Sequence, residues 1–559
     1  MADLAEFIGS SCGHCRTVAT IREAGDSAVI LELEPVIRAD INARAIAIAN
    51  AMRDDALAGI RDVVSTYRSV AVYFDPLIAD LRDVVASLER AAEAPAAVAE
   101  GDTIEIPVEY GNQGGPDLAD VAAFARKRED EVVALHSGRD YHVFMLGFLP
   151  GFAYLGTVDT SIAAPRRPSP RPRVAAGSVG IAGAQTAVYP SDSPGGWQII
   201  GRTFTRMFDA ARWPAALLTA GDTVRFVPAS EQRTRETTLV KPAPHTTTAS
   251  RSISVVDPGL FTTVQDLGRW GHQASGVPIS GAMDWIAHRT ANALVGNDPA
   301  AATLEATLAG PKLRIEQRTT LAIAGADLGA TLDGARVPHC APLSCPTGSI
   351  LRFNNRTFGA RAYIAFDGGV DVPRVLASRS THALSRMGGA SGRTLLPGDR
   401  LGLGPSNQPV GRRRPIADAA VYPRQGGAVL RVIPGPQHDY FPPDALDRLQ
   451  RTRFIVTPQS NRMGYRLQGE AIPRLDDREM ISDAAFTGAI QVPSSGDPIL
   501  LMADRQTTGG YPQLAVVITA DLAIAAQLAP GDWIEFRVCS RAEALSALVA
   551  QEARLLAFD

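Results

Sequence analysis

The sequence contains very little lysine. Lys127, Lys241 and Lys312 are the only lysines, although lysine and arginine together number 55. The Gly-Lys-Ser/Thr sequence that a P-loop requires is absent, so a P-loop nucleotide site is excluded. With lysines this scattered, an ATP-grasp site is not expected either. No Met-Lys-Met sequence occurs, so the chain is not expected to carry a biotinyl-lysine of its own.

Long apolar runs are also missing. No stretch of 18 or more apolar residues occurs, which predicts that no segment spans a membrane. The acidic N-terminus lacks the basic-then-apolar pattern of a secretion signal, so we expect a cytoplasmic protein. The net charge of −4 argues against general binding to nucleic acid, because such binding needs a basic face.

Cysteine and histidine are sparse. The five cysteines are odd in number and widely spread, which does not indicate a disulfide framework. Cys12 and Cys15 have the spacing of a redox motif, but no thioredoxin-like pattern surrounds them. The nine histidines show no metal-ligand spacing, so no metal site is predicted.

The length of 559 residues is too great for one hydrophobic core and predicts about four domains. Two polar breaks interrupt the chain, at residues 229–252 and at 405–427. The first break is rich in Thr and Pro, and we interpret it as the join between two ancestral proteins. Residues 1–18 also stand apart from the rest of the chain.

A short pattern recurs four times along the chain: a Gly-Asp or Gly-Ser turn followed by alternating apolar residues. The glycines of these turns are Gly221, Gly348, Gly398 and Gly531. Each turn is predicted to lead into a strand. Helical patterns are fewer, at 39–59, 117–135, 283–295 and 539–556. Because 50 glycines and 39 prolines separate short apolar runs, the fold is predicted to be mainly β with α+β subdomains.

The densest motif of the first half is HVFMLGFLPGFAYLG, residues 142–156, which includes Tyr154. Three glycines and a proline interrupt its apolar residues, which indicates unusual backbone conformations or close backbone approach. Further on, Gln185 and Tyr189 follow the glycine-rich run at 177–183. That run is more typical of a barrel turn than of a phosphate cradle.

An arginine–proline strip lies between these motifs, at residues 165–173, and includes Arg166, Arg171 and Arg173. Guanidinium groups bind carboxylate or phosphate in bidentate fashion. A solvated basic loop is an equally good interpretation from composition alone.

The second half carries a comparable polar cluster. Arg462 lies in the segment SNRMGYR at 460–466, and the segment ADRQTTGGYP follows at 503–512. Its consecutive polar residues and the tyrosine behind them are Asp504, Arg505, Gln506, Thr507, Thr508 and Tyr511. Apolar runs on both sides place this segment at a strand end, where it either binds a polar substrate or caps a turn.

These motifs resemble those of two known families. HVFMLGFLPGFAYLG, the arginine–proline strip, GSVGIAGAQTAVYP and SPGGWQIIGRT resemble the B subunit of 5-oxoprolinase, also called allophanate hydrolase subunit 1 or Kip I. GLFTTVQDLGRWGHQASGVPISGAMDW, GADLGATLDG, ARAYIAFDGGVDVP and ADRQTTGGYPQLAVVITADL resemble its C subunit, also called allophanate hydrolase subunit 2 or Kip A. The same pair forms the carboxyltransferase domain of urea carboxylase.

The resemblance implies tandem cyclophilin-like β-barrel domains with about four subdomains. The implied division is an extension at 1–18, two subdomains like the B subunit at 19–100 and 101–228, a linker at 229–252, and two subdomains like the C subunit at 253–427 and 428–559. It also implies ATP-dependent opening of 5-oxo-L-proline to L-glutamate with a separate A subunit, and a homo-oligomer is expected.

Two other functions remain open. One is carboxyl transfer from biotin to urea or another amide, which requires separate biotin carboxylase and biotin carrier chains. The other is a regulatory module that inhibits a kinase without catalysis.

Both enzymatic reactions activate an amide-like carbonyl and need cationic or N–H donors near a developing negative oxygen. By residue type and motif position, the candidate donors are Arg166, Arg171, Arg173, Arg462 and Arg505. Asp504 and His136 are the candidates for proton transfer. The candidates for orienting the amide or lactam substrate are Tyr154, Gln185, Tyr189, Gln506, Thr507, Thr508 and Tyr511.

Overall fold

A computed structural model describes residues 19–94, 101–229, 243–406, 426–476 and 480–556. The extension at 1–18 with Cys12 and Cys15 lies outside these residues, as does most of the polar breaks at 229–252 and 405–427. No helix in the described part of the chain is long and apolar enough to cross a membrane. The described residues form four units, numbered in chain order.

Unit 1, residues 19–94, is an antiparallel sheet with two helices on one face. Its elements are β1 (Thr20–Glu23), β2 (Ala28–Glu32), α1 (Ala39–Asp54), β3 (Ile60–Ser65), β4 (Ser69–Phe74) and α2 (Leu81–Glu93). The strand order is β1-β2-β4-β3. All of β4 is buried, because its second face packs against unit 4 rather than facing solvent.

Unit 2, residues 101–229, is a closed barrel of seven strands with two helices. Its elements are β5 (Thr103–Tyr110), α3 (Leu118–Ala125), α4 (Glu129–Ser137), β6 (Asp140–Leu146), β7 (Ala153–Gly156), β8 (Arg171–Val174), β9 (Ser178–Ala182), β10 (Gln185–Val188), β11 (Ser193–Gly195), β12 (Gln198–Arg202) and β13 (Thr223–Pro228). The barrel order is β10-β7-β6-β13-β5-β12-β9, and β8 pairs with β11 outside it.

Unit 3, residues 243–406, consists of two sheets and one helix. Its elements are β14 (Ser252–Asp257), β15 (Phe261–Gln265), α5 (Trp285–Val295), β16 (Thr303–Thr307), β17 (Lys312–Ile315), β18 (Thr319–Asp327), β19 (Ala330–Leu332), β20 (Ala335–Arg336), β21 (Leu343–Cys345), β22 (Ile350–Phe353), β23 (Phe358–Phe366), β24 (Val370–Asp371) and β25 (Arg400–Leu403). The sheet orders are β20-β19-β22-β17-β14-β25-β24 and β15-β16-β23-β18-β21, and one hydrophobic core lies between them.

Unit 4, residues 426–556, is a second closed barrel of seven strands. Its elements are β26 (Gly427–Pro434), α6 (Ala445–Arg451), β27 (Phe454–Val456), β28 (Gly464–Gln468), β29 (Asp483–Ala484), β30 (Ala489–Gln491), β31 (Ile499–Leu501), β32 (Thr508–Gly509), β33 (Gln513–Val517), α7 (Thr519–Ala525), β34 (Trp533–Val538) and α8 (Arg541–Leu556). The barrel order is β26-β33-β30-β31-β28-β27-β34, and β29 pairs with β32.

The two barrels close in the same way. In unit 2 the last strand, β13, pairs in parallel with the first, β5; in unit 4 the last strand, β34, pairs in parallel with the first, β26. The other strand pairs in both barrels are antiparallel over the described residues. The predictions of a mainly β fold and of tandem barrels are confirmed. The four predicted helical segments coincide with α1, with α3 and most of α4, with α5, and with α8, and α4 runs two residues beyond the predicted end at 135.

The recurrent Gly-Asp turns lead into strands as predicted. Gly221 and Gly531 precede the closing strands of the two barrels, and Gly348 and Gly398 precede β22 and β25 of unit 3. All four have φ between +85° and +100°, a conformation that glycine adopts at little cost. In three turns an aspartate follows the glycine, and its carboxylate accepts a hydrogen bond from the backbone N–H three residues earlier. The pairs are Thr219 with Asp222, Leu396 with Asp399, and Ala529 with Asp532, at 2.7, 2.7 and 2.8 Å.

Replacing Asp532 by alanine tests the value of these turns. The Ala529 N–H would lose its charged acceptor at the entrance to the closing strand of unit 4. We expect the apparent free energy of unfolding to fall by about 1–2 kcal/mol, measured with urea. Asp497→Ala is the control, because Asp497 lies in an exposed turn of the same unit. Equal losses in the two variants would contradict this account of the turns.

Candidate functional site

The segment from Asp504 to Pro512, here called the junction loop, meets the other three units. It follows β31 and precedes β33, so the predicted position at a strand end is confirmed. Within it, β32 pairs with β29, with Asp483 opposite Gly509 and Ala484 opposite Thr508. Its polar residues do not share one surface, because Asp504, Arg505 and Thr508 point to three different neighbourhoods.

Asp504 forms a buried ion pair with Arg462. Arg462 donates from Nε and Nη2 to the two carboxylate oxygens at 2.9 and 3.0 Å, and from Nη2 to the Gly281 carbonyl at 2.6 Å. Its Nη1 donates to Glu305 of unit 3, which also accepts from the Tyr363 hydroxyl at 2.6 Å. One guanidinium therefore joins the junction loop to β16 of unit 3 through charge-assisted hydrogen bonds.

These contacts fix the charge states of both residues. Burial acts to raise the pKa of the Asp504 carboxyl, but the Arg462 guanidinium outweighs it and holds that pKa below its ordinary value. Burial acts to lower the pKa of Arg462, but Asp504 and Glu305 outweigh it and raise that pKa. Asp504 is therefore a permanently ionised partner of Arg462, and this geometry does not support the proton-transfer role that the sequence suggested.

Arg505 points in another direction and is 2% exposed. Its Nη2 donates to Gln273 of unit 3 at 2.7 Å, and its Nε to Thr487 at 3.0 Å. Its guanidinium lies 5.6 Å from the ring centroid of Tyr73 in unit 1. Tyr73 in turn donates to the Ala485 carbonyl at 2.9 Å. Arg505 thus lies where units 1, 3 and 4 meet.

Thr508 contacts unit 2. A Cβ atom on Gly147 would overlap the Thr508 side chain, so the glycine permits the close approach of β6 and the junction loop. Tyr154 is a neighbour of Thr508: burial raises the pKa of Tyr154, and Thr508 and Arg166 act against that rise. The glycine-interrupted motif at 142–156 is thereby explained as a surface on which the junction loop packs.

Around Tyr154 lies a group of residues that we call the tyrosine pocket: Tyr67, Tyr154, Arg166, Gln185 and Tyr189. Gln185 donates to the Tyr67 hydroxyl, and the rings of Tyr67 and Tyr154 are 6.1 Å apart between centroids. The structure therefore brings together four predicted residues that come from three separate motifs. Tyr67 joins them from unit 1.

The electrostatics of the tyrosine pocket favour neutral hydroxyl donors beside a cation. Burial raises the pKa of Tyr67 well above its ordinary value and that of Tyr189 to about 12, whereas Arg166 acts to lower both. The tyrosines therefore stay protonated at neutral pH. Arg166 is exposed and has no ion pair within the described residues. Such a set can donate hydrogen bonds to a carbonyl or anionic oxygen.

The other arginines of the strip are engaged in ion pairs. Arg167 and Arg171 both bind Asp117, at 3.0 and 2.5 Å, and Arg173 binds Asp192 at 2.7 Å. Asp117 is 2% exposed and also accepts from the Ile199 N–H at 2.6 Å. Arg171 and Arg173 thus tie the strip to the rest of unit 2, whereas Arg166 has no ion pair within the described residues.

His136 lies inside the unit 2 barrel rather than in the tyrosine pocket. Its Nδ1 is hydrogen-bonded to the Tyr110 hydroxyl at 2.7 Å and its Nε2 to the Thr186 hydroxyl at 2.9 Å. Burial lowers the pKa of His136 to about 3. Thr186 and Gln185 are consecutive on β10 and face opposite sides of it, so His136 and the pocket lie on opposite faces of the barrel wall. The expectation that His136 transfers protons is not supported by this position.

The remaining residues of the junction loop have smaller roles. The Gln506 carbonyl accepts from Arg505 Nη1 at 3.1 Å, and the Thr507 carbonyl accepts from the Ala485 N–H at 3.0 Å. Thr507 is fully buried, whereas Tyr511 is 46% exposed. None of these three contacts the tyrosine pocket through a side-chain interaction in the described residues.

Several site residues were missed by sequence reasoning. Tyr67 lies in a short loop of unit 1 outside every quoted motif, so no signal marked it. Glu305 is a fully buried charge between Leu304 and Ala306 of β16, and no quoted motif marked it. Arg269 is 1% exposed, with Nε and Nη1 lacking acceptors in the described residues, and it lies in the field of Asp504.

Comparisons with known proteins agree with this architecture. The family model "Carboxyltransferase domain, subdomain C and D" matches residues 19–218, and "Carboxyltransferase domain, subdomain A and B" matches residues 275–538. The C subunit of 5-oxoprolinase from Escherichia coli (strain K12) is 41% identical over 300 residues, covering 54% of this chain and 95% of that protein. The B subunit of 5-oxoprolinase from Escherichia coli O157:H7 is 44% identical over 208 residues, covering 37% of this chain and 94% of that protein.

The chain belongs to the carboxyltransferase-domain family that contains the B and C subunits of 5-oxoprolinase. It joins counterparts of both subunits in one polypeptide, as the motifs predicted. Units 1 and 2 fall in the counterpart of the B subunit, and units 3 and 4 fall in the counterpart of the C subunit.

Solved structures extend the family likeness to nearly the whole chain. The crystal structure of TTHA0988 is 34% identical and covers 93% of this chain and 100% of that chain, with a TM-score of 0.82. A second family member, the urea amidolyase of K. lactis, is 32% identical with a TM-score of 0.52. That match covers 55% of this chain and 20% of the urea amidolyase chain.

Gly147→Ala tests the packing between unit 2 and the junction loop. The added methyl group would overlap Thr508, so we expect a loss of about 1–3 kcal/mol in the apparent free energy of unfolding. Gly196→Ala is a matched control in the same unit, because a methyl group there would meet its nearest atoms at 3.8 Å. Denaturant unfolding of both variants gives the comparison, and equal stability would contradict the proposed close contact.

His136→Gln tests the buried histidine. The pKa of His136 is about 3 in the folded chain against 6.5 for the free side chain, so only the unfolded chain takes up this proton as the pH falls below 6.5. The contribution of the neutral His136 to the free energy of unfolding is therefore complete above pH 6.5 and is lost as the pH falls towards 3. Between pH 7 and 5, the wild type should lose about 2 kcal/mol more unfolding free energy than His136→Gln. Parallel losses would show that His136 titrates normally.

Proposed function

We propose that this chain is the fused B and C component of an ATP-dependent 5-oxoprolinase, which opens 5-oxo-L-proline to L-glutamate together with a separate A subunit. The observation that supports it best is that counterparts of both subunits, each matched over more than nine-tenths of its length, occur in one chain. The contacts of the junction loop hold those two counterparts together.

The tyrosine pocket suits the chemistry of this reaction. Opening a lactam requires the amide oxygen to accept negative charge, and preorganised donors stabilise that charge most where water is excluded. Tyr154 and Tyr189 are buried and protonated, and Arg166 supplies a positive charge beside them. We assign to these three residues the binding of the lactam oxygen, with Gln185 holding Tyr67 in place.

ATP is assigned to the complex as co-substrate, and the required partner is the A subunit. The two lysines of the described residues, Lys127 and Lys312, belong to neither the tyrosine pocket nor the junction loop, and no P-loop sequence occurs in the chain. A homo-oligomer remains a prediction.

Carboxyl transfer is the second candidate, favoured by the similarity to urea amidolyase. In that case an amide such as urea would accept a carboxyl group from biotin carried on a partner chain, and a biotin carboxylase would charge the biotin. The same donors would stabilise the enolate-like oxygen of the amide acceptor.

The deciding experiment measures glutamate release from 5-oxo-L-proline and ATP, with this chain and an A subunit from the same source. Each component is omitted in turn. The proposal predicts glutamate only when all components are present. If a demonstrably active A subunit yields no glutamate with this chain, the oxoprolinase proposal is wrong, and transfer from carboxybiotin to urea becomes the assay of choice.

Arg166→Ala is expected to lower the turnover of the complex at least about tenfold, because it removes a cation that acts on all three tyrosines of the tyrosine pocket and has no ion pair within the described residues. Arg356→Ala is the control, since Arg356 is an exposed arginine in the loop between β22 and β23. The measurement is the rate of glutamate release for variants with unchanged circular dichroism. A normal rate for Arg166→Ala would remove Arg166 from the site.

A further inference from the structure

A cavity lies away from the tyrosine pocket, where units 1, 3 and 4 meet. Its volume is about 570 Å³, which is within the range of small-molecule sites. Its wall is formed by the end of β4, the segment before α5, the residues around β31, and α8. It is unrelated to the donors assigned to the lactam oxygen, because none of the tyrosine-pocket residues lines it.

Aromatic side chains form much of the cavity wall. Tyr73 and Phe74 come from unit 1, Trp270 and Trp285 from unit 3, and Phe486 from unit 4. Tyr73 and Phe486 pack together with ring centroids 5.3 Å apart. Such walls favour a ligand with a flat or apolar body.

The charged residues of the wall do not balance. Three arginines, Arg61, Arg289 and Arg505, face two carboxylates, Asp75 and Glu552. Arg61 pairs with Asp75 at 2.5 Å, and Arg289 donates to Glu552 at 3.0 Å. Arg505 has no carboxylate partner among the residues of the wall, so the wall carries one excess positive charge.

Arg505 itself has only neutral hydrogen-bond acceptors. They are the Gln273 side chain, the Thr487 hydroxyl and the Gln506 carbonyl, and the Tyr73 hydroxyl is a further neutral partner. No carboxylate of the described residues lies within ion-pair distance of it. Asp62 acts on the Arg505 guanidinium electrostatically, but its carboxylate accepts hydrogen bonds from the Gly271 and Gln273 N–H groups.

A buried guanidinium without a counter-ion is costly unless a ligand supplies one. A single excess charge matches a monoanion, and a carboxylate fits the planar fork of arginine. We propose that this cavity binds a small monocarboxylate with a flat or apolar body, whose charge is neutralised by Arg505. The test concerns binding to the chain alone, so its outcome is distinguishable from that of the glutamate-release assay.

The test uses benzoate and its neutral analogue benzamide as probes, with binding to the full chain measured by titration calorimetry. The proposal predicts saturable benzoate binding with a Kd of about 1 mM or tighter, and benzamide binding at least about tenfold weaker. No saturable benzoate binding, or equal affinity for the two probes, would overturn it.

Variants locate the site. Arg505→Gln should weaken benzoate binding at least about tenfold, and Arg505→Lys should retain more of it because the charge remains. Ala282→Leu places a larger side chain in the cavity and leaves Arg505 intact, so it should also weaken benzoate binding. If Arg505→Gln does not fold, the benzoate affinity of Ala282→Leu is the measurement that tests the site. Arg356→Gln, on the exposed surface, is the matched charge control and should bind normally. Full benzoate affinity in Ala282→Leu would place the probe elsewhere and overturn the proposal.

Discussion

The buried contact between Arg462 and Asp504 fixes the start of the junction loop, the segment through which unit 4 contacts the other three units. Arg462 also binds Glu305, so the same guanidinium joins the unit 4 barrel to unit 3. Removing one partner of such a buried pair costs about 3–5 kcal/mol, because the other charge is left uncompensated. With Asp504 held, Arg505 is directed towards units 1 and 3, and Thr508 towards unit 2.

The two halves of the chain each contain a barrel that closes in the same way, and unit 1 of the first half packs on the barrel of the second half. Each barrel is closed by a parallel pair between its first and last strands. Unit 1, however, belongs to the first half and packs its sheet on the barrel of the second half, where Ser69 donates to the buried Asp483. Side-chain contacts around the junction loop therefore join the two halves.

Much of the fold was predictable because it depends on local pattern. Glycine at positive φ followed by an aspartate that caps the turn is a short-range signal, and it located the closing strands of both barrels at Asp222 and Asp532. The motif around Tyr154 and the junction loop were also recognisable as unusual in composition. Their contact through Gly147 and Thr508 was not predictable, because residues separated by more than half the chain give no sequence signal of contact.

The assignment of roles within the site was the least predictable part. Residue type alone made His136, Asp504 and three arginines of the strip equally good candidates. Burial and partners separate them: His136 is neutral inside a barrel, Asp504 is held ionised by Arg462, and Arg171 is occupied by Asp117. Only the structure shows that Arg166 lies beside three buried tyrosines and has no ion pair with any residue that the structure describes.

The most direct measurement cuts the chain between its halves. A protease site is placed between residues 230 and 242, and the folded protein is cleaved there to completion. The product is then analysed by size-exclusion chromatography at about 1 μM. At this concentration two fragments stay together only if they associate with micromolar or better affinity. If side-chain contacts around the junction loop hold the halves together, the two fragments will co-elute at the position of the uncut chain. Separate elution of two folded fragments would contradict the account.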